Sequence, residues 1–124
     1  MRALALGIAC DIHPLNNTRV MQYLEDTLAC TQEQRLAWYR HWIAEGLGAL
    51  EQMLDDPRTG AFCHGDTPTM ADIALVPQVF NAQRYGCDVD PYPRIRRIND
   101  ACLSMPAFQA AAPANQPDAD AVKS

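Results

Sequence analysis

Residues 32–55 constrain this chain more than any other stretch. Leu36, Tyr39, Ile43, Leu47, Leu50 and Leu54 recur at threes and fours, which draws one apolar stripe along a 3.6-residue helix. Thr31 and Gln34 stand ahead of it at capping-box spacing, where each side chain can take the other residue's backbone N–H. Trp38 and Trp42 add a second seam, and DDPRTG at 55–60 breaks the pattern. A stripe of that length has to lie on another apolar face. No period-two alternation appears elsewhere to supply a sheet, so the partner faces are helical and the chain is predicted to be all-α.

The remaining segments fit that class. Residues 2–12 read as a helix with Leu4, Ile8 and Ile12 at four-residue spacing. Pro14 should end it, because proline has no N–H and disfavours helical geometry at His13, and it can start a second helix over about 14–29. Thr69 and Asp72 have N-cap spacing for a helix running to about Tyr85, with Gly86 to end it and Pro77 to kink it. A helix over about 94–104 enters at Pro93 and turns Ile95, Ile98 and Cys102 inward. PAFQAAA is a short last helix. One domain is expected over 1–115, with a coil tail at 116–124.

Composition excludes some functions. A net charge of −5 and a pI near 4.9 argue against a nucleic-acid surface, which needs clustered Lys and Arg. No apolar run approaches the roughly 20 residues that span a membrane. The opening MRALALGIAC carries a basic residue, a short apolar run and a cysteine. Gly7 stands where a lipoprotein signal has Leu, so the segment reads as helix. Five cysteines with no CxxC pair point to reduced thiols and a cytoplasmic setting. Cys63–His64 has no partner at zinc-site spacing, so no metal is expected. RIRR at 94–97 reads as a solvated helix face.

One stretch does not fit a plain core helix. In CDIHPLNNTRVMQYL, residues 10–24, a continuous wheel puts His13, Asn17, Val20 and Leu24 on one face, polar residues ahead of core residues. Either the stripe opens into a cleft there, or these side chains cap the helix start; on that wheel Arg19 points away from Asn17. Arg84 is similarly open between a partner for its helix dipole and a carboxylate clamp.

That stretch, GDTPTMADIALVPQVFNAQRYG, and YPRIRRIND followed by PAFQAAAPANQPD resemble the zeta class of glutathione transferases, the maleylacetoacetate and maleylpyruvate isomerases. The likeness covers about residues 2–118 and keeps the family's motif order and spacing. It implies a helical bundle of the glutathione transferase C-terminal domain type, its first helix truncated at Met1. It implies glutathione as cofactor, held by His13, Asn17, Thr18 and Arg19, and a dicarboxylate-like substrate held by Arg84. Relatives often have a basic residue where Thr18 stands. The family's thioredoxin-like domain with its Ser–Cys motif is not found in these 124 residues. No catalytic residue is therefore expected on this chain, and the chain alone is expected to be inactive. The full-length form is expected to be a homodimer. The rival readings are a general zeta-class transferase or dehalogenase and a non-catalytic helical interaction module.

Overall fold

The structure, a computed structural model, describes residues 1–119 and is helical throughout its regular parts. Among the described residues no strand forms; one isolated bridge joins Thr59 and Gly65 in the loop after the long helix. The coil expected at 116–124 lies outside the described residues beyond Ala119, and the part that is described holds a turn from the Ala119 N–H to the Gln116 carbonyl.

The first expected break does not occur. Helix α1 (Arg2–Leu6) widens into a π-helical turn over Gly7–Ile12 and runs on as α2 (His13–Asn16), straight through Pro14. The His13 N–H reaches back five residues to the Ile8 carbonyl. This widened turn makes room for the proline ring, whose clash with the preceding turn would otherwise stop the helix. The chain breaks instead at Asn17, whose backbone is extended and whose Oδ1 accepts the Val20 N–H at 3.2 Å, capping α3 (Thr18–Asp26). Helix α3 also ends earlier than predicted, before Ala29, which sits at φ 52° with no glycine to announce it.

Helix α4 (Gln32–Met53) and helix α5 (Met70–Arg84) begin where their capping boxes predict, at Thr31/Gln34 and Thr69/Asp72. Helix α5 continues unbroken past Pro77, which lies at the surface. Its end is a Schellman turn: Gly86 adopts φ +72°, the Cys87 N–H reaches the Ala82 carbonyl at 2.8 Å, and the Gly86 N–H reaches Gln83 at 3.1 Å. Arg40 then donates to the Tyr85 carbonyl at 2.9 Å, tying that corner to α4. Helix α6 (Pro93–Leu103) and the short α7 (Pro106–Ala111) follow.

The predicted stripes meet in one core. Leu4, Ile8 and Ile12 pack with Tyr39, Ile43, Leu47 and Leu50 of α4, Leu75 and Val79 of α5, and Ile95, Ile98 and Cys102 of α6. Gly46 lets α4 approach closely, since a Cβ there would run into the Ile12 side chain. RIRR is not simply a solvated face. Glu51, buried on α4, accepts the backbone N–H groups of Arg94 at 2.9 Å and Ile95 at 3.0 Å, and so caps the start of α6. Arg94 also pairs with Glu51 and with Asp55.

Candidate functional site

The break at Asn17 builds the site. Because α2 and α3 are separate helices, the continuous wheel through residues 13–24 does not apply, and Asn17 and Arg19 line the same cavity. His13, Asn17, Thr18 and Arg19 line a cavity of about 470 Å³, and Arg84 lines it too, from the end of α5. All five residues singled out in the sequence thus share one cleft. Asn17 serves the helix start as well, through its bond to Val20.

Sequence reasoning missed five further lining residues: Asn16, Tyr39, Gln78, Asn81 and Tyr85. Gln78, Asn81 and Tyr85 follow one another at i, i+3 and i+7 along α5, so one helix face carries all three. That spacing was legible, and a carboxamide among Ala71, Leu75 and Ala82 on a buried stripe was its signal. Asn16 and Tyr39 had no local signal. The Asn16 Nδ2 donates to the Tyr39 carbonyl at 3.3 Å, and the Trp38 indole N–H donates to the Leu15 carbonyl at 2.9 Å. These two bonds pin α2 against α4.

Electrostatically the cleft is positive. Among the described residues no carboxylate lines it, and neither Arg19 nor Arg84 pairs with one. The Arg84 guanidinium carbon lies 5.8 Å from the centre of the Tyr85 ring, within reach of a cation–π contact. Tyr85 in turn lies against Tyr39, with centroids 4.0 Å apart. Burial first, then the neighbouring Tyr85 and Cys87, pushes the Tyr39 phenol up to about 12, so it stays neutral at physiological pH. Two polar atoms of the cleft residues are buried without a partner: Asn16 Oδ1 and Gln78 Nε2.

Two other cavities have less to offer. One of about 510 Å³ lies between Leu54, Asp55, Asp56, Arg94 and Arg97, where Arg94 is already committed to Glu51 and Asp55. A smaller one of about 80 Å³ touches Cys63 and His64. Burial and the Asp72 carboxylate push the Cys63 thiol well above its ordinary range, the reverse of what a nucleophile needs. Among the described residues no group of three His, Cys, Asp or Glu side chains converges on a metal position.

Fold and cleft together define an all-helical domain with a cationic, hydrogen-bonding recess. The chain belongs to the glutathione S-transferase C-terminal domain family, which it matches over residues 33–98. It is 46% identical over 119 residues to a probable maleylacetoacetate isomerase of Vibrio cholerae, covering 96% of this chain and 55% of that protein. Its fold superposes with a TM-score of 0.92 on the holo structure of a maleylpyruvate isomerase described as a bacterial zeta-class glutathione transferase, at 48% identity, covering 94% of this chain and 56% of that one. A maleylacetoacetate isomerase of Anaeromyxobacter dehalogenans, solved with dicarboxyethyl glutathione and citrate in its active site, superposes with a TM-score of 0.88 at 44% identity, covering 95% and 52% of the two chains. The chain therefore spans about half the length of the relatives it matches.

Proposed function

We propose that this domain forms the substrate side of a glutathione-dependent cis–trans isomerase acting on maleylacetoacetate or maleylpyruvate, in the breakdown of aromatic compounds. The observation that carries the reading is the cleft: among the described residues it holds two arginines without an ion-pair partner, no carboxylate, and two buried polar atoms without a partner. Such a recess fits a peptide with carboxylates beside a small diacid. The names of the similar proteins support the same chemistry.

When bound, glutathione would supply a thiolate whose electron pair forms a C–S bond to the conjugated cis alkene, shifting the alkene pair toward the carbonyl so that the former double bond rotates, and the pair returns as the C–S bond breaks, with no net oxidation. The residues of this chain bind and orient. Asn17 has its Oδ1 committed to Val20 and keeps its Nδ2–H for a glutathione oxygen. Thr18 and Arg19 offer donors from the first turn of α3, where the helix dipole also favours an anion. His13 lines the same cleft. Arg84 takes the substrate carboxylate with charge-assisted bonds. The acidic pI supports a small-molecule role without nucleic acid, and the family resemblance supports a cytoplasmic homodimer.

The experiment is turnover by the complete protein of both maleyl substrates, with and without glutathione. Isomerisation that requires glutathione is expected. Absent or glutathione-independent turnover overturns the proposal, and turnover of α-halo acids alone would favour a dehalogenase. Light scattering on the purified protein tests the homodimer.

A further inference from the structure

We propose that Gln78 is the floor of the substrate subsite, where its carboxamide N–H donates to the carbonyl oxygen conjugated with the alkene. This rests on the isomerase reading and goes beyond it by assigning a positioning residue to a specific substrate atom.

Gln78 is 3% exposed and lies on the buried face of α5 between Leu75 and Val79, yet its Nε2 has no partner. A position that served packing alone would hold an apolar side chain, since a buried donor without an acceptor is destabilising. The side chain lines the cleft, so the missing acceptor belongs to something that enters it. Asn16 Oδ1 is a second buried orphan in the same cleft, and its amide is held in place by the bond to the Tyr39 carbonyl. A donor and an acceptor that wait in one recess, without bonding each other, call for ligands carrying both carbonyl oxygens and N–H groups. A bare anion would satisfy only one of them.

The choice of a carbonyl over a carboxylate follows from burial. A carboxylate at the floor would lose its hydration in return for a neutral donor, whereas Arg84 offers a full charge at the exposed end of the same helix. The two positions are six residues apart, about 9 Å along the axis at the backbone. The substrate's carboxylate then sits at the rim and its keto group points inward. Negative charge collects on that oxygen when the alkene is attacked, so the Gln78 hydrogen bond strengthens as the reaction proceeds.

The test uses the complete protein with Q78M, which keeps the length without the amide, and Q78E, which replaces the donor by a carboxylate. For Q78M, kcat should fall by about a hundred-fold. The glutathione KM should stay within about twofold and the melting temperature should hold or rise, because an unpaired buried donor has gone. Q78E should lose more. A second readout does not depend on turnover. Calorimetry on the glutathione-loaded protein compares 3-oxoglutarate with glutarate, which differ only in the keto oxygen. The native protein should prefer the keto acid, and Q78M should lose that preference while binding glutarate as before. A keto preference lost in Q78M, in a protein that does not isomerise maleyl substrates, would sink the isomerase reading and keep the subsite. Normal turnover in Q78M with a lowered melting temperature and no change in preference would show Gln78 to be structural.

Discussion

Replacing Asp72 by alanine should cost the fold more than the loss of a helix cap. As a cap alone, the carboxylate would be worth about 0.5–2 kcal/mol. Asp72 does more than that, and it has no exposed surface. Its Oδ2 accepts the Thr69 N–H at 2.8 Å and the Thr69 hydroxyl at 3.2 Å. Its Oδ1 accepts the Cys63 N–H at 2.9 Å, and the Cys102 thiol lies 3.9 Å away. One side chain therefore joins the start of α5 to the loop after α4 and to α6. Alanine leaves the Cys63 N–H stranded in a site that is 3% exposed, where water has little access. An unsatisfied buried donor costs about 1–3 kcal/mol. The Thr69 N–H is partly exposed and water can replace its partner, so its loss falls at the low end. Added together, the cost is about 2–4 kcal/mol. Against this stands the relief of no longer burying a charge. Asp72→Asn separates the two, because it keeps the shape and one acceptor but removes the charge. Urea unfolding of wild type and both variants, with midpoints and m-values fitted together, measures the losses. We expect a large loss for Ala and an intermediate one for Asn. A loss below about 1 kcal/mol for Ala, or an Asn variant as stable as wild type, would show that charge burial cancels the hydrogen bonds and would refute the reasoning.

Arg84→Met and Arg19→Met should lower kcat/KM by about ten- to hundred-fold in the complete protein, the larger effect at Arg84, since a charged hydrogen bond is worth about 1.5–3 kcal/mol. Melting temperatures should barely move; a fall in melting temperature with kcat/KM within about twofold would make both arginines structural. Asn17→Ala should cost about 1 kcal/mol of stability through its cap, whereas Asn17→Ser keeps a capping oxygen and should lose glutathione affinity alone, which calorimetry beside urea titration resolves. Burial, with Asp72 nearby, raises the Cys63 thiol above its ordinary value and holds the Cys102 thiol at about 12, so native-state alkylation should mark the exposed Cys10 and spare these two. Because the fold favours the neutral thiols, they contribute fully below the ordinary thiol value of 9.0, and stability should fall as pH rises above it. Urea midpoints that stay flat from neutral pH to pH ~10.5 would contradict this.

The parts of the fold that were legible rest on signals a few residues long. Thr31 with Gln34, and Thr69 with Asp72, satisfy orphan N–H groups within their own first turns, so α4 and α5 begin where local chemistry places them. Pro14 misled for a physical reason. Whether a proline ends a helix depends on whether the preceding turn can widen, and here the π turn does so against Gly46, thirty-four positions away. The cap that Glu51 gives α6 spans more than forty residues and leaves no trace in the spacing of either helix.

The cleft shows the same division. Asn17 as a helix cap was one of two readings the residues allowed, and the structure gives it both roles by ending a helix at the cleft wall. That residues 13–19 share a cleft with residues 78–85 follows from how Ile8 and Ile12 pack on α4 and how α1 and the π turn pack on α5, contacts no local pattern encodes. The family resemblance supplied the pairing of Arg84 with the opening stretch, but not the floor between them. Gln78 was there to be read. A helix whose stripe runs Ala71, Leu75, Gln78, Ala82 places an amide where packing alone would choose an apolar side chain. When a buried stripe carries one polar residue that its own helix cannot satisfy, the partner must come from another element or from a ligand. Among the described residues no other element supplies it.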